Sequence, residues 1–138
     1  MRDPKCIFCN FTDKSVIVFE DSECFGLISK APLNKYHVIL IPLEHFTDTQ
    51  DLPDDLLGHL YATAKKLGKA VRSASGAQGI TTIHDDGIQK TQDHFTLHII
   101  PRFSNEKIGG LFVREENVGI TIRARYAREI RDALKAVN

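Results

Sequence analysis

Neither sign of charge is in excess in this chain of 138 residues: 18 Lys and Arg stand against 18 Asp and Glu, for a formal net charge of zero. A balanced chain lacks the field that draws DNA or RNA to a basic surface, so nucleic acid is not expected as a partner. There is also no apolar run long enough to cross a bilayer, and the opening Met1-Arg2-Asp3-Pro4-Lys5-Cys6 has no apolar signal core behind it. The expectation is a soluble, cytoplasmic protein without membrane contact. Cysteine is scarce, three in all, too few for a disulfide framework and in keeping with a reducing compartment. No internal repeat, low-complexity tract or second domain is visible. At 42% hydrophobic content, the length suits one domain over residues 1–138 with a real core, its body in 1–103 and a C-terminal extension in 104–138.

The stretch around which the rest is organised is His94-Phe95-Thr96-Leu97-His98-Ile99-Ile100-Pro101-Arg102. Side chains of a strand repeat with period two, so a strand here places His94, Thr96 and His98 on one face and Phe95, Leu97 and Ile99 on the other. The second face packs. The first carries imidazoles and a hydroxyl where an ordinary solvent face carries charge, which marks it for chemistry. The bland alternative is a solvated strand with two incidental histidines.

Earlier in the chain, Val16-Ile17-Val18-Phe19 and Cys24-Phe25-Gly26-Leu27-Ile28 read as a hairpin, the second strand weakened by Gly26. Tyr36-His37-Val38-Ile39-Leu40-Ile41-Pro42 is almost continuously apolar and suits a central strand covered on both faces. From Asp51 the pattern turns helical, with apolar residues at Leu56, Leu57, Leu60, Ala64, Leu67 and Val71. Pro53 and the acids Asp54 and Asp55 belong to its first turn, and Ser73-Ala74-Ser75-Gly76 ends it. Lys65, Lys66, Lys69 and Arg72 form its solvated face. Residues 79–84 read as a further strand, 85–93 as a loop and 102–110 as a connection. Ile130, Leu134 and Val137 mark a helix from about Arg125 to the end. The implied class is α+β: an antiparallel sheet of about five strands with one long helix packed on it and a C-terminal helix.

Cys6-Ile7-Phe8-Cys9 is the other feature with chemical content. Two thiols at this spacing can chelate one soft cation through a tight turn, whereas a redox pair usually opens a helix after a strand, often with Pro or Gly between the thiols. Tetrahedral zinc needs four ligands, and the candidates to complete the set are His45, just past the strand ending at Pro42, and His94. Cys24, inside an apolar run, reads as a small buried hydrophobe. His59 and His84 acquire no role.

Taken together, the residues resemble the histidine triad (HIT) family of nucleotide hydrolases and transferases, in which three histidines alternate with apolar residues. In this chain the middle one is Thr96. The resemblance covers roughly the first three-quarters of the chain and implies a HIT-like fold. It extends to the stretch 36–42 and its Pro-x-x-His turn, with Tyr36 in place of the usual glycine and His37 where an imidazole supports the active-site histidine. It implies a structural Zn2+ on Cys6, Cys9, His45 and His94, as in the zinc-binding bacterial-type branch. It also implies a purine nucleotide partner, with Ile7, Phe8 and Leu27 about the base, although plain core packing is the alternative for each. Ser29 falls where many relatives carry an acidic residue that grips the ribose, so weaker ribose binding is expected. Asp85 matches an asparagine position of the phosphate loop, and Thr91 matches the family's hydroxyl donor. A two-fold homodimer is expected by the same likeness.

In the family the middle histidine attacks the α-phosphorus and forms a nucleotidyl-histidine. Thr96 cannot copy this readily, because an alcohol is protonated at neutral pH and needs a base. His98 is the available base, for Thr96 or for a water, since His94 is committed if it binds zinc. The expected function is action on the α-phosphate of purine nucleoside phosphoramidates or dinucleoside polyphosphates, reduced or altered by Thr96. The alternatives are a catalytically silent nucleotide-binding protein that senses or scavenges, and a zinc-stabilised interaction module without a nucleotide ligand.

Overall fold

The computed structural model describes residues 2–89, 93–104, 106 and 118–136. Thr91, Val137 and most of the connection expected after the triad stretch lie outside these residues. Five antiparallel strands, β1 (Ile17–Glu20), β2 (Cys24–Ile28), β3 (Val38–Pro42), β4 (Gly79–Ile83) and β5 (Leu97–Arg102), form one sheet in the order β1-β2-β3-β5-β4. Two helices, α1 (Asp54–Ser75) and α2 (Ile120–Ala136), complete the described elements of regular structure, together with short 3-10 turns at Lys14–Val16, Thr49–Asp51 and Gly87–Gln89. The expected α+β class and the five-stranded sheet are what the chain adopts. None of these helices is long and apolar enough to cross a membrane.

The sheet separates two apolar clusters. On one face Val18, Ile28, Val38, Leu40, Leu97 and Ile99 pack under Leu60, Ala64, Leu67 and Val71 of α1, as the three-and-four spacing predicts. Tyr126, Ala127, Ile130 and Leu134 of α2 enter the same cluster. Leu60 and Leu67 are fully buried, each contributing about 1.5–3 kcal/mol. Gly26, expected to weaken β2, lets α1 approach: a Cβ there would lie 3.2 Å from Val18 Cγ2 and 3.5 Å from Leu67 Cδ1. On the opposite face Ile17, Phe25, Leu27, Ile39 and Ile41 are covered by Phe8 and Phe11 of the N-terminal segment.

Several boundaries differ from the sequence reading. α1 begins at Asp54, because Asp51 closes a separate turn by accepting the Asp48 backbone N–H at 3.2 Å, and Pro53 then sets the entry. α1 ends at Gly76 with φ 74, a left-handed cap suited to glycine. β3 starts at Val38, β4 ends before His84, and α2 starts at Ile120, a turn and a half ahead of Arg125. β5 starts at Leu97, so His94 and Thr96 precede the strand and only His98 of the three lies within it.

Tyr36, where the family pattern has glycine, adopts φ 62. A side chain in that region costs roughly 1–2 kcal/mol. The cost is offset by contact with α2: the Tyr36 and Tyr126 rings lie 4.1 Å apart, and the Tyr36 hydroxyl donates to Glu129 Oε2 at 2.8 Å. Burial and the Glu129 carboxylate push the phenol up to about 12. The residue preceding His37 therefore fastens α2 to the sheet. Tyr36→Phe, which keeps the ring pair and removes the hydroxyl, is expected to lower stability by about 1 kcal/mol, seen as a lower urea midpoint at unchanged slope. An unchanged midpoint would contradict this role.

Candidate functional site

A cleft of about 450 Å³ opens on the sheet face opposite α1, within the size range of small-molecule sites. Its floor is built by strand register. Leu27 of β2 lies beside Ile39 of β3, which lies beside His98 of β5, so one row of side chains crosses three strands toward the His98 imidazole. Ile7, Phe8 and Phe11 of the N-terminal segment overhang it, and Ser29, His37 and Thr96 line its polar side. Ile7 is 59% exposed although apolar, which excludes core packing as its reason for being there, while Leu27 is 2% exposed and both packs in the core and lines the cleft floor. A cavity of about 550 Å³ beside Asn34, Tyr36 and Arg125 carries no histidine among the described residues.

The protons of the two facing imidazoles can be assigned from their partners. The Leu33 backbone N–H donates to His37 Nδ1 at 3.0 Å, so the neutral His37 ring carries its proton on Nε2. That Nε2–H donates to His98 Nδ1 at 2.9 Å, which leaves the neutral His98 ring protonated on Nε2. His37 is buried, at 1% exposure, and holds this relay rigid. The Thr96 hydroxyl donates to the His94 carbonyl at 3.0 Å.

Next to the cleft, the N-terminal Cys-x-x-Cys meets His45 and His94, with one ligand atom from each residue and all four within 4.8 Å of one another. Sulfur–nitrogen separations are 3.2 Å for Cys6 to His94 Nδ1, 3.4 Å for Cys9 to His45 Nδ1 and 3.6 Å for Cys9 to His94 Nδ1. Metal–sulfur and metal–nitrogen bonds of about 2.3 and 2.05 Å at tetrahedral angles put the same atoms about 3.5 Å apart. His94 Nε2–H donates to the Pro42 carbonyl at 2.8 Å, which turns the Nδ1 lone pair toward the thiols. Backbone N–H groups reach the sulfurs, Asp3 to Cys9 at 3.3 Å and Cys9 to Cys6 at 3.5 Å. Burial pulls the His94 imidazole below its ordinary value, and burial likewise raises the Cys9 thiol. A cation among them reverses the thiol's preference, because a coordinating thiol is deprotonated outright. The donor set and spacing fit a tetrahedral soft cation.

His94 precedes β5, and its two ring nitrogens are held by β3 and by the N-terminal cysteines. Asp85 is exposed and is not among the residues lining the cleft, so the structure does not bring it to the site. Thr91 lies outside the described residues. Two cationic lining residues, Lys30 and Arg123, were not anticipated from the sequence. Cys24 is fully buried, its thiol pushed up to about 12 by burial, in line with a packing role. His59 joins Asp21 at 2.7 Å and ties α1 to the β1–β2 turn. His84 lies 3.1 Å from Thr49 Oγ1.

Residues 10–105 match the HIT domain family. The chain belongs to that family. Among HIT proteins, an adenosine 5'-monophosphoramidase of Candida albicans is 26% identical over 106 residues, 70% of each chain. A HIT-like protein of Bartonella henselae involved in cell-cycle regulation superposes with a TM-score of 0.83 at 26% identity, covering 96% of this chain and 98% of that one. A zinc-bound histidine triad family protein of Mycobacterium smegmatis shares the fold with a TM-score of 0.80 at 24% identity, covering 96% and 95%. Within this HIT chain, the proton relay predicts that long-range 1H–15N correlation spectra show His98 in the Nε2-protonated tautomer. A proton on Nδ1 of the neutral ring would contradict the assigned direction.

Proposed function

We propose that this HIT protein binds a purine nucleotide in the cleft and acts on the α-phosphate of nucleoside phosphoramidates or dinucleoside polyphosphates at a much reduced rate. The observation that carries the reading is the convergence of Ser29, His37, Thr96 and His98 on a cleft roofed by Ile7 and Phe8. Membership of the HIT family and the likeness to a monophosphoramidase support it.

In this reading Ile7, Phe8 and Leu27 hold the base, Ser29 faces the ribose, and Thr96 and His98 face the phosphate. Thr96 is a poor nucleophile here, since its proton is engaged by a backbone carbonyl rather than by a base. His98, protonated on Nε2, is set to act as an acid. Water attacks phosphorus, the bond to the leaving group breaks, and the His98 proton passes to that group, the proton of the water then restoring the ring. Such direct attack lacks the covalent intermediate and its rate advantage. The engaged hydroxyl of Thr96 equally favours the second reading, a silent nucleotide sensor or scavenger.

We further propose that zinc occupies the Cys6, Cys9, His45 and His94 cluster, where its chemistry is structural: four protein donors leave no open position. It braces the N-terminal roof against β3 and the entry to β5. Pairing of two copies is part of the same reading.

Two measurements decide these points. Thr96→His is expected to raise hydrolysis of adenosine 5'-phosphoramidate by about 10²-fold or more, against rate losses of this order or larger when nucleophiles are removed; an unchanged rate removes Thr96 as the cause of low activity. Elemental analysis is expected to find one zinc per chain, lost in Cys9→Ala together with thermal stability, whereas an equally stable metal-free protein excludes the zinc site.

A further inference from the structure

The cleft has an electrostatic character that the nucleotide reading leaves unused. No carboxylate lines it among the described residues, while Lys30 and Arg123 do. Arg123 comes from the first turn of α2. It donates through Nη2 to the Ile28 carbonyl at 3.0 Å, and its buried Nε has no hydrogen-bond partner. An unpaired buried N–H on a cation is costly, and no acceptor for it stands among the described residues. The nearby negative charge acting on it is Asp13, whose carboxylate is taken by the Ser15 backbone and hydroxyl at 3.0 and 2.6 Å. Lys30 is fixed beside it, because the chain entering α2 pairs with the β2 exit through Val118 N–H to the Lys30 carbonyl at 3.0 Å.

We propose that Arg123 and Lys30 form a second anion subsite, and that the nucleotide bound here carries a further phosphate on its 2' or 3' ribose hydroxyl. This rests on the nucleotide reading given above. Position separates the subsite from the reacting phosphate. The Arg123 guanidinium is anchored on β2, His98 stands on β5, and β3 lies between them, two strand spacings or about 10 Å. One phosphate at His98 is not shared with Arg123. Ile28, which anchors Arg123, adjoins Ser29, the residue assigned to the ribose. An acidic side chain at Ser29 would repel a ribose phosphate, and serine admits it. Arg123 supplies a planar, permanently charged donor suited to phosphate, and Lys30 adds a point charge.

Calorimetric titration of the full chain with AMP, adenosine 3',5'-bisphosphate and adenosine 2',5'-bisphosphate tests the proposal. At least one bisphosphate is expected to bind tenfold or more tightly than AMP. The ratio is expected to fall toward one in Arg123→Gln, which keeps a donor for the Ile28 carbonyl, and to shrink in Lys30→Gln, an exposed change that leaves the fold intact. AMP binding with no preference for either bisphosphate, or a preference that survives Arg123→Gln, overturns the second subsite while leaving the nucleotide site standing. Binding of none of the three ligands removes both.

Discussion

Residues 2–13 belong to no strand, and what ties this N-terminal segment to the chain after β3 and to the approach to β5 is the convergence of two thiols and two imidazoles. His94 is the hinge of that arrangement. Its Nε2–H is bound by the Pro42 carbonyl and its Nδ1 faces Cys6 and Cys9, so a single ring fixes the angle at which β5 begins. Because Ile7 and Phe8 lie between the two cysteines, placing the sulfurs also places the roof of the cleft. The shape of the cleft thus depends on the Cys/His cluster, since the two cysteines bracket two of its lining residues.

A second constraint runs from the opposite side. The turn before β3 uses a left-handed residue, and that residue is a tyrosine whose ring and hydroxyl are spent on α2. The next residue, His37, takes a backbone proton from Leu33 and hands its own to His98. The orientation of the His98 imidazole and the docking of α2 therefore depend on adjacent residues of one turn. α2 in turn carries Arg123 to the cleft. A glycine at Tyr36 would relieve the backbone while giving up the contact that holds the helix.

The fold was legible where burial is periodic. The α1 repeat at Leu60, Ala64, Leu67 and Val71 and the apolar run Val38–Ile41 are direct imprints of one-sided and two-sided burial, and both elements formed with small shifts at their ends. Alternation through His94, Thr96 and His98 predicted a strand over all three, but periodicity does not reveal partners elsewhere: β5 begins only at Leu97, and His94 is held by residues far off in the chain. α2 was misplaced at its start for a related reason. Its buried residues begin at Tyr126, so the exposed first turn leaves no apolar repeat, and Arg123 sat outside the expected helix. The four residues expected to bind metal were brought together because their spacing matched a known constellation. No local pattern could have announced Arg123, whose place beside the cleft depends on a carbonyl of a strand distant in the chain.

The departures from the HIT pattern point one way. In the proposed reading, Thr96 in place of an imidazole removes an interaction made in the transition state, and a proton bonded to the His94 carbonyl keeps the hydroxyl from replacing it. In that reading, too, cations at Arg123 and Lys30, together with serine at position 29, act on a part of the ligand that does not change during phosphoryl transfer. Interactions of that kind stabilise ground state and transition state alike, strengthening binding without accelerating the chemical step. A site altered in both proposed respects would be better suited to holding a particular nucleotide than to turning it over. The two properties are separable, since the first depends on β2 and α2 and the second on one position just before β5.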